Sequence, residues 1–281
     1  MKVRAPAKLN LCLYLGPVRD DGMHELRSVF EPLELCDELT ITEVAGPGDE
    51  VSCPGVEGPN LVTAALEGLR ERGWDSPPLR VEIEKRIPVA AGLGGGSADA
   101  AAILRLARGE VDGIRELAIS LGADVPSQLE PRPSLVAGAG EVLEPVRPPG
   151  EHALVLIPQR EGLSTADVYR EADKVGAQRT RAELDVVRRR LHDALETGRT
   201  PLDYTEHLVN DLQPPALALR PEAAEGLRAL EEAGAEHAML TGSGPTAFGL
   251  FRSQGRAAEA LMELRGAYPD AVATRPLEGP V

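Results

Sequence analysis

The sequence predicts an α+β protein built from two layered halves, and three observations carry that expectation. Strand-like and helix-like segments occur in both halves of the 281-residue chain without strict β-α-β alternation, which favours α+β layers over a doubly wound parallel sheet. A proline-rich stretch, LEPRPSLVAGAGEVLEPVRPPGEH (129–152), ends in a linker, placing a boundary that gives an N-terminal domain over 1–150 and a C-terminal domain over 151–281. An apolar share of 42% is enough to build a sizeable core.

The elements follow in order. KVRAPAKLNLCLYL (2–15), SVFEPLEL (28–35) and DELTITEV (37–44) read as strands bounded by Gly, Pro, Asp or Asn. NLVTAALEGLRERG (60–73) reads as a helix capped by Asn60, with Leu61, Ala65, Leu66 and Leu69 at helical spacing and Gly73 at its end. LRVEIEKRI (79–87) alternates apolar and polar as a half-buried strand does. SADAAAILRLARG (97–109) and GIRELAISLG (113–122) are short helices with one apolar face. In the second half, ALVLIP (153–158) starts a strand, and STADVYREAD (164–173), RAELDVVRRRLHDAL (181–195) and PEAAEGLRALEEAG (221–234) are helical. The strands HAMLTGSG (237–244) and TAFGLF (246–251) and a helix at AAEALMELR (257–265) complete the order, with no internal repeat.

Charge and cysteine content exclude several classes. A net charge of −15 disfavours nucleic acid, whose binding is driven by cations that neutralise phosphates, but leaves room for a small phosphorylated ligand held by local groups. Cys12, Cys36 and Cys53 are odd in number and widely spaced, so neither a disulfide framework nor a zinc site is expected and a reducing cytoplasm fits. The apolar stretch LNLCLYLGPV is too short for a membrane span, and no small-residue cleavage site follows it, so no signal peptide is expected.

The chemistry is concentrated in PVAAGLGGGSADAAA (88–102). Backbone N–H groups at a helix start lack intrahelical partners and carry the positive end of the dipole, so they attract phosphate, and glycine lets them approach closely. Gly92 to Gly96, then Ser97 and small alanines, have that form. A plain turn capped by Ser97 is the alternative, and it uses glycine wastefully. No lysine follows the glycines, which excludes the G-x-x-x-x-G-K-[ST] loop, and Ser97 stands where the dinucleotide fingerprint needs its third glycine or alanine.

This stretch resembles the central motif of the GHMP superfamily, the small-molecule kinases grouped as galactokinase, homoserine kinase, mevalonate kinase and phosphomevalonate kinase. PAKLNLCLYL (6–15) resembles their first motif and AMLTGSGPTAFGLF (238–251) their third, so the likeness spans nearly the whole chain in order. AKLNL, DGMHEL, GLGGGSADAAA, LGADVP and NDL resemble, more narrowly, the branch that phosphorylates a cytidine-diphosphate-linked methylerythritol.

The resemblance implies a two-domain GHMP-kinase-like fold with the active site in the cleft between domains, ATP and Mg2+ as cofactors, and a small-molecule substrate, with neither nucleic acid nor membrane as partner. It assigns Asp124 as the carboxylate that accepts or orients the proton of the acceptor hydroxyl, and Lys8 as the cation that steers both Asp124 and the γ-phosphate. Read alone, Asp124 is a turn residue or helix cap and Lys8 a solvated lysine. The nucleotide-binding positions are Pro88, Val89, Ala90 and Ala91 on the approach, Gly92, Leu93, Gly94, Gly95 and Gly96 in the turn, then Ser97 and Ala98. Amides from Gly94 to Ala98 would hold the β- and γ-phosphates, while Asp99 serves either the helix dipole or an indirect magnesium contact. Asn10, His24 and Tyr169 match substrate-facing positions, Tyr169 as the base-stacking residue or as a core side chain. Asn210 and Asp211 in NDL match a family stretch and equally cap the turn before QPP.

Two departures stand out. Met23 replaces the usual tyrosine before His24, and Ser127 and Gln128 replace two large apolar residues after Asp124 and Pro126. They leave open a different small alcohol as acceptor, or a catalytically silent metabolite sensor on the same fold.

Overall fold

Two long strands, β1 (Lys2–Val18) and β2 (His24–Glu43), form an antiparallel hairpin around which the other elements are arranged. The computed structural model describes residues 1–281 apart from 57, 160, 161 and 280. The first half continues with β3 (Glu50–Ser52), α1 (Leu61–Glu71), β4 (Leu79–Glu84), α2 (Gly95–Leu106), α3 (Ile114–Leu121), α4 (Val125–Gln128), β5 (Ser134–Ala137) and β6 (Val142–Pro145). The second contains β7 (Ala153–Ile157), α5 (Thr165–Val175), α6 (Arg181–Glu196), α7 (Gln213–Leu219), α8 (Ala223–Glu232), β8 (His237–Leu240), β9 (Ala247–Phe251), α9 (Gln254–Leu264) and β10 (Val272–Thr274). One sheet runs β3-β4-β2-β5-β6 with β1 along the other edge of β2, and the second is the antiparallel order β10-β7-β9-β8.

Local chemistry explains most boundaries. Asn60 caps α1 by accepting from Val62 N at 2.9 Å, and Gly73 follows its end at φ +80°. β4 alternates buried and exposed along its whole length, as its spacing requires.

Three expectations are corrected, and QPP, for which no element is expected, is helical, while Asn210 caps the turn before it by accepting from Leu212 N at 3.0 Å. SVFEPLEL and DELTITEV are one strand, β2, because Pro32 falls where the register slips: β2 advances from Pro32 to Cys36 while β1 goes from Lys8 back to Pro6, so no regular ladder bond depends on the missing N–H. The proline-rich stretch 129–152 contains the β5–β6 hairpin. QPP opens α7, since prolines in a first turn remove N–H groups that have no partner there anyway. α2 starts at Gly95, two residues before Ser97.

A bulge in β1 decides how the halves join. Between the pairs Asn10–Phe30 and Cys12–Val29, β1 advances two residues and β2 one, which flips the side chains from Cys12 to Leu15 relative to the earlier alternation of β1. Leu9 and Leu11 therefore face a central core with Leu154, Leu156 and Phe248, whereas Leu13 and Leu15 face a different one with Val155, Ile157 and Leu240. A separate core holds Leu39, Val81 and Ile83 against α1 and α2. The central cluster contains residues from both halves, so they are joined by apolar packing as well as by chain.

Beyond the bulge, the outer edge of β1 is covered by residues 209–211. Leu13 N donates to Val209 O at 2.8 Å, and Asp211 N donates to Leu13 O at 2.8 Å. Asp211 also accepts from Leu15 N at 3.0 Å and takes a bidentate pair from Arg179 at 2.6 and 2.7 Å. A second cross-tie is fully buried: His152 Nε2 meets Glu31 Oε2 at 2.9 Å and its Nδ1 meets Gly150 O at 2.8 Å. Burial alone would lower the His152 pKa, but the Glu31 carboxylate outweighs it and leaves it raised. Asp211→Ala would leave both the Leu15 amide and the Arg179 fork without an acceptor, and is expected to cost about 2 kcal/mol in guanidinium denaturation; a loss below about 0.5 kcal/mol would show that the tie is dispensable.

Candidate active site

Two cavities meet at the glycine loop. One, of about 380 Å3, is lined by Pro88 to Ser97 together with Asn60, Lys85 and Asp99. The other, of about 650 Å3, lies in the cleft between the halves and is lined by Lys8, His24 and Asp124 from the first and Tyr169, Thr165 and Gly242 from the second. Gly92 and Ser97 belong to both walls, so a group held by the loop borders both chambers.

The loop is a helix entrance built without a side-chain cap. Gly94 occupies the cap position of α2 at φ +68°, a left-handed conformation, and no side chain bonds the first turn. The N–H groups of Gly94, Gly95, Gly96 and Ser97 are thereby the four without intrahelical partners. Ala98 falls outside that set: its N–H bonds Gly94 O at 2.8 Å, and its side chain is buried in the core with α1. The glycines face different neighbours. A Cβ on Gly94 would lie 2.9 Å from Lys8 Cγ, whereas one on Gly95 would point away from the opening toward Ile87 Cγ2 at 3.1 Å and Lys85 Nζ at 3.2 Å.

Lys8 reaches the loop from β1. Its N–H donates to Leu93 O at 2.9 Å, fixing strand against loop, and its side chain is 8% exposed. The ammonium lies 3.3 Å from Asp124 Oδ2, donates to Asn10 Oδ1 at 2.7 Å and stands 4.7 Å from the centre of the Phe30 ring. Asn10 is oriented in turn, since Nδ2 donates to Ser28 Oγ at 2.9 Å and Ser28 donates to Cys12 O at 2.6 Å. That chain turns Oδ1 toward Lys8. Asp124 precedes α4 and makes no capping bond, so its carboxylate is not consumed by the helix. Ser127 donates to Asp124 O at 2.7 Å, which steadies the turn at the second departure from the family pattern.

At the far end of the cleft, His24 Nε2 donates to Asp173 Oδ1 on α5 at 2.8 Å. A carboxylate accepts only, so the proton of this bond sits on Nε2, and in the tautomer that carries its proton there Nδ1 is the acceptor. Tyr169 lies 5.1 Å from the His24 ring at a tilt of 49°, lines the cleft, and also packs against the core that holds Leu13 and Leu15, the second of its two expected placements. Met23 is half-exposed at the rim. Thr165 and Ser243 meet at 2.9 Å, linking α5 to the glycine-rich return.

Beneath the loop lies a buried group that sequence patterns did not single out. Asp37 accepts from the N–H groups of Arg86 and Ile87 at 2.6 and 2.8 Å, and Lys85 bridges Asp37 to Asp99, the latter at 2.8 Å. Because α2 begins at Gly95, Asp99 lies beyond its first turn and pairs with Lys85 instead of serving the dipole. Burial raises its pKa to about 7, with Lys85 opposing and Asp37 adding to the rise. Its Oδ1 has no hydrogen-bond partner. The alternating strand that ends in Lys85 just before the glycines was the available signal. Asn210 and Asp211 sit outside the cleft wall. Asn210 Nδ2 donates to Leu240 O and Gly242 O, both at 2.8 Å, and so supports the return loop.

Comparison with known proteins places this geometry. Residues 60–128 match the GHMP kinases N terminal domain and residues 199–270 the GHMP kinases C terminal family. The chain is 40% identical over 275 residues to a 4-diphosphocytidyl-2-C-methyl-D-erythritol kinase of Anaeromyxobacter sp. (strain K), covering 93% of this chain and 84% of the relative. It is 38% identical to the protein of that name from Rhodococcus jostii (strain RHA1), with 94% and 88% covered. A crystal structure of a 4-(cytidine 5'-diphospho)-2C-methyl-D-erythritol kinase superposes with a TM-score of 0.81 at 33% identity, covering 99% of this chain and 100% of that one.

Gly94→Ala is expected to displace Lys8 and strain the backbone, lowering turnover by about 100-fold or more with a stability loss of about 1–2 kcal/mol; parental kcat in the variant would mean that Lys8 can yield without cost. The raised Asp99 pKa has a pH signature. Its contribution to stability is fully present below the unfolded value near 3.8 and is lost as pH rises through about 7. Denaturation of wild type and Asp99→Asn across that window should show the wild type losing stability relative to the variant, and parallel curves would remove the assignment.

Proposed function

This chain belongs to the GHMP small-molecule kinases and, within them, to the 4-diphosphocytidyl-2-C-methyl-D-erythritol kinase family, and from that premise we propose that it transfers the γ-phosphoryl group of ATP to a hydroxyl of 4-diphosphocytidyl-2-C-methyl-D-erythritol in non-mevalonate isoprenoid precursor biosynthesis. The observation that carries the proposal is the Lys8–Asp124 pair, 3.3 Å apart at the junction of the two cavities. Phosphoryl transfer asks for positioning and charge stabilisation around a group in flight, and a cation beside a carboxylate at that junction supplies both.

The roles divide by side of the loop. The free N–H groups of Gly94 to Ser97 receive the phosphates of the nucleotide, whose remainder lies along Pro88 to Leu93. Asp124 accepts the acceptor's hydroxyl proton, and Lys8, held by Asn10, offsets the charge on the transferring group. On the acceptor side, His24 offers Nδ1 to an exocyclic amino group such as cytosine carries, and Tyr169 supplies a ring face for the base. The residues also fit Mg2+: the Ser97 hydroxyl and the unpartnered Oδ1 of Asp99 belong to groups lining the nucleotide cavity, suited to an ion bound mainly by phosphates. When bound, the ion screens the phosphate oxygens. A cytoplasmic setting is supported by the free thiols of Cys12, Cys36 and Cys53. Among the described residues no helix is long and apolar enough to cross a membrane.

Turnover with Mg-ATP should be found with the cytidyl-linked methylerythritol and not with mevalonate, homoserine or galactose; a preference for one of the latter would overturn the acceptor assignment. Asp124→Asn is expected to lower kcat by about 10²–10⁴-fold, the usual contribution of a positioned base, with ATP affinity unchanged within about twofold. Parental turnover in this variant would refute the role of Asp124.

A further inference from the structure

A third cavity, of about 350 Å3, opens on the first half between α2, α3, α4 and the β5–β6 hairpin, and shares no lining residue with the two described above. Its charge is opposite to that of the chain. Arg105, Arg108, Arg115 and Arg132 line it against the single carboxylate of Glu130, four cations less one anion giving +3, on a chain of net charge −15.

The cations are only partly neutralised. Glu130 is shared by Arg108 and Arg132, the latter at 2.9 Å. Arg115 donates to the carbonyl of Glu141 at 3.1 Å, and Arg105 to the carbonyls of Gln128 and Arg4, both at 2.7 Å. Among the described residues neither forms a salt bridge with a carboxylate. Arg105 is the deepest of the four, and burial lowers its pKa to about 10. A guanidinium held by carbonyl dipoles alone favours an anion nearby, because its desolvation is uncompensated by opposite charge. Below the guanidinium groups, Leu104, Ile114, Leu129 and Leu143 give the cavity an apolar floor.

We propose that this cavity binds a small organic phosphate, a phosphate or diphosphate ester with an apolar body, at a site separate from nucleotide and acceptor. Planar guanidinium forks match phosphate oxygens in bidentate pairs, and several converging forks suit a multiply charged head group better than a single carboxylate. The apolar floor takes the organic portion, as in most small-molecule sites. A polyanion is disfavoured, because the chain as a whole carries a net charge of −15 and an extended anion would reach beyond the cavity.

Phenyl phosphate is the probe and benzoate, with the same ring and one charge, its control. Titration calorimetry with ADP in excess should show saturable phenyl phosphate binding, with benzoate weaker by about tenfold or more. Arg115→Gln/Arg132→Gln changes two exposed side chains and is expected to weaken phenyl phosphate by about tenfold or more while the melting temperature stays near the parental value. Leu143→Glu, which adds a carboxylate to the floor, should do the same. Absence of saturable binding up to about 10 mM, equal affinity for benzoate, or affinity within about twofold of wild type in the double variant would each overturn the proposal.

Discussion

The hydrogen bond from Lys8 N–H to Leu93 O is a small interaction on which the arrangement of the site depends. It sets one strand against one loop so closely that the residue after Leu93, Gly94, cannot carry a side chain without meeting Lys8. Net stabilisation from such a bond is only about 1 kcal/mol, so its importance is geometric. It brings a buried ammonium to the mouth of a helix whose free N–H groups point at the same space. Everything downstream of β1 then has to accommodate that placement: the bulge after Asn10 turns the strand's apolar residues to a second core, and residues 209–211 cover the edge it leaves open.

The electrostatics are correspondingly local. An overall charge of −15 repels anions at long range, yet screening beyond a Debye length of about 8 Å at physiological salt leaves short-range groups in control. At the loop, helix-start amides and Lys8 face the opening, while Asp37 and Asp99 stay behind it, held by Lys85. Burial is the main reason the Asp99 carboxyl is displaced upward, and the neighbouring Asp37 carboxylate adds to the rise while Lys85 opposes it. The same structure therefore sets helix-start amides and an ammonium at the opening, with Asp124 paired to Lys8 there and Asp37 paired to Lys85 behind it.

The acceptor side is assembled from both halves. His24 belongs to the start of β2, whereas the Asp173 that fixes its proton and the Tyr169 beside it belong to α5. Such a site depends on the relative position of the two halves. The central core, with Leu9 and Leu33 packed among Leu154, Phe248 and Leu250, and the buried Glu31–His152 pair hold that position before any ligand enters. Preorganisation of this kind lowers the free-energy cost of binding.

From the amino-acid order alone came the α+β class, the capped α1, the alternating β4, most helices and the glycine-rich helix entrance, because periodicity, caps and glycine freedom act within a few residues. Lys8, Asp124, His24 and Tyr169 were reachable through likeness to a kinase family, but isolated in the chain each had an ordinary structural explanation. Tertiary structure alone decided that β2 runs through Pro32, that the proline-rich stretch pairs as β5 and β6, and that Ala98 spends its amide inside α2. It also decided that Asp99 serves Lys85, and that Asp173 fixes the His24 ring. These outcomes turn on register slips and on partners far apart along the chain, and such contacts leave no periodic trace in the sequence around either residue.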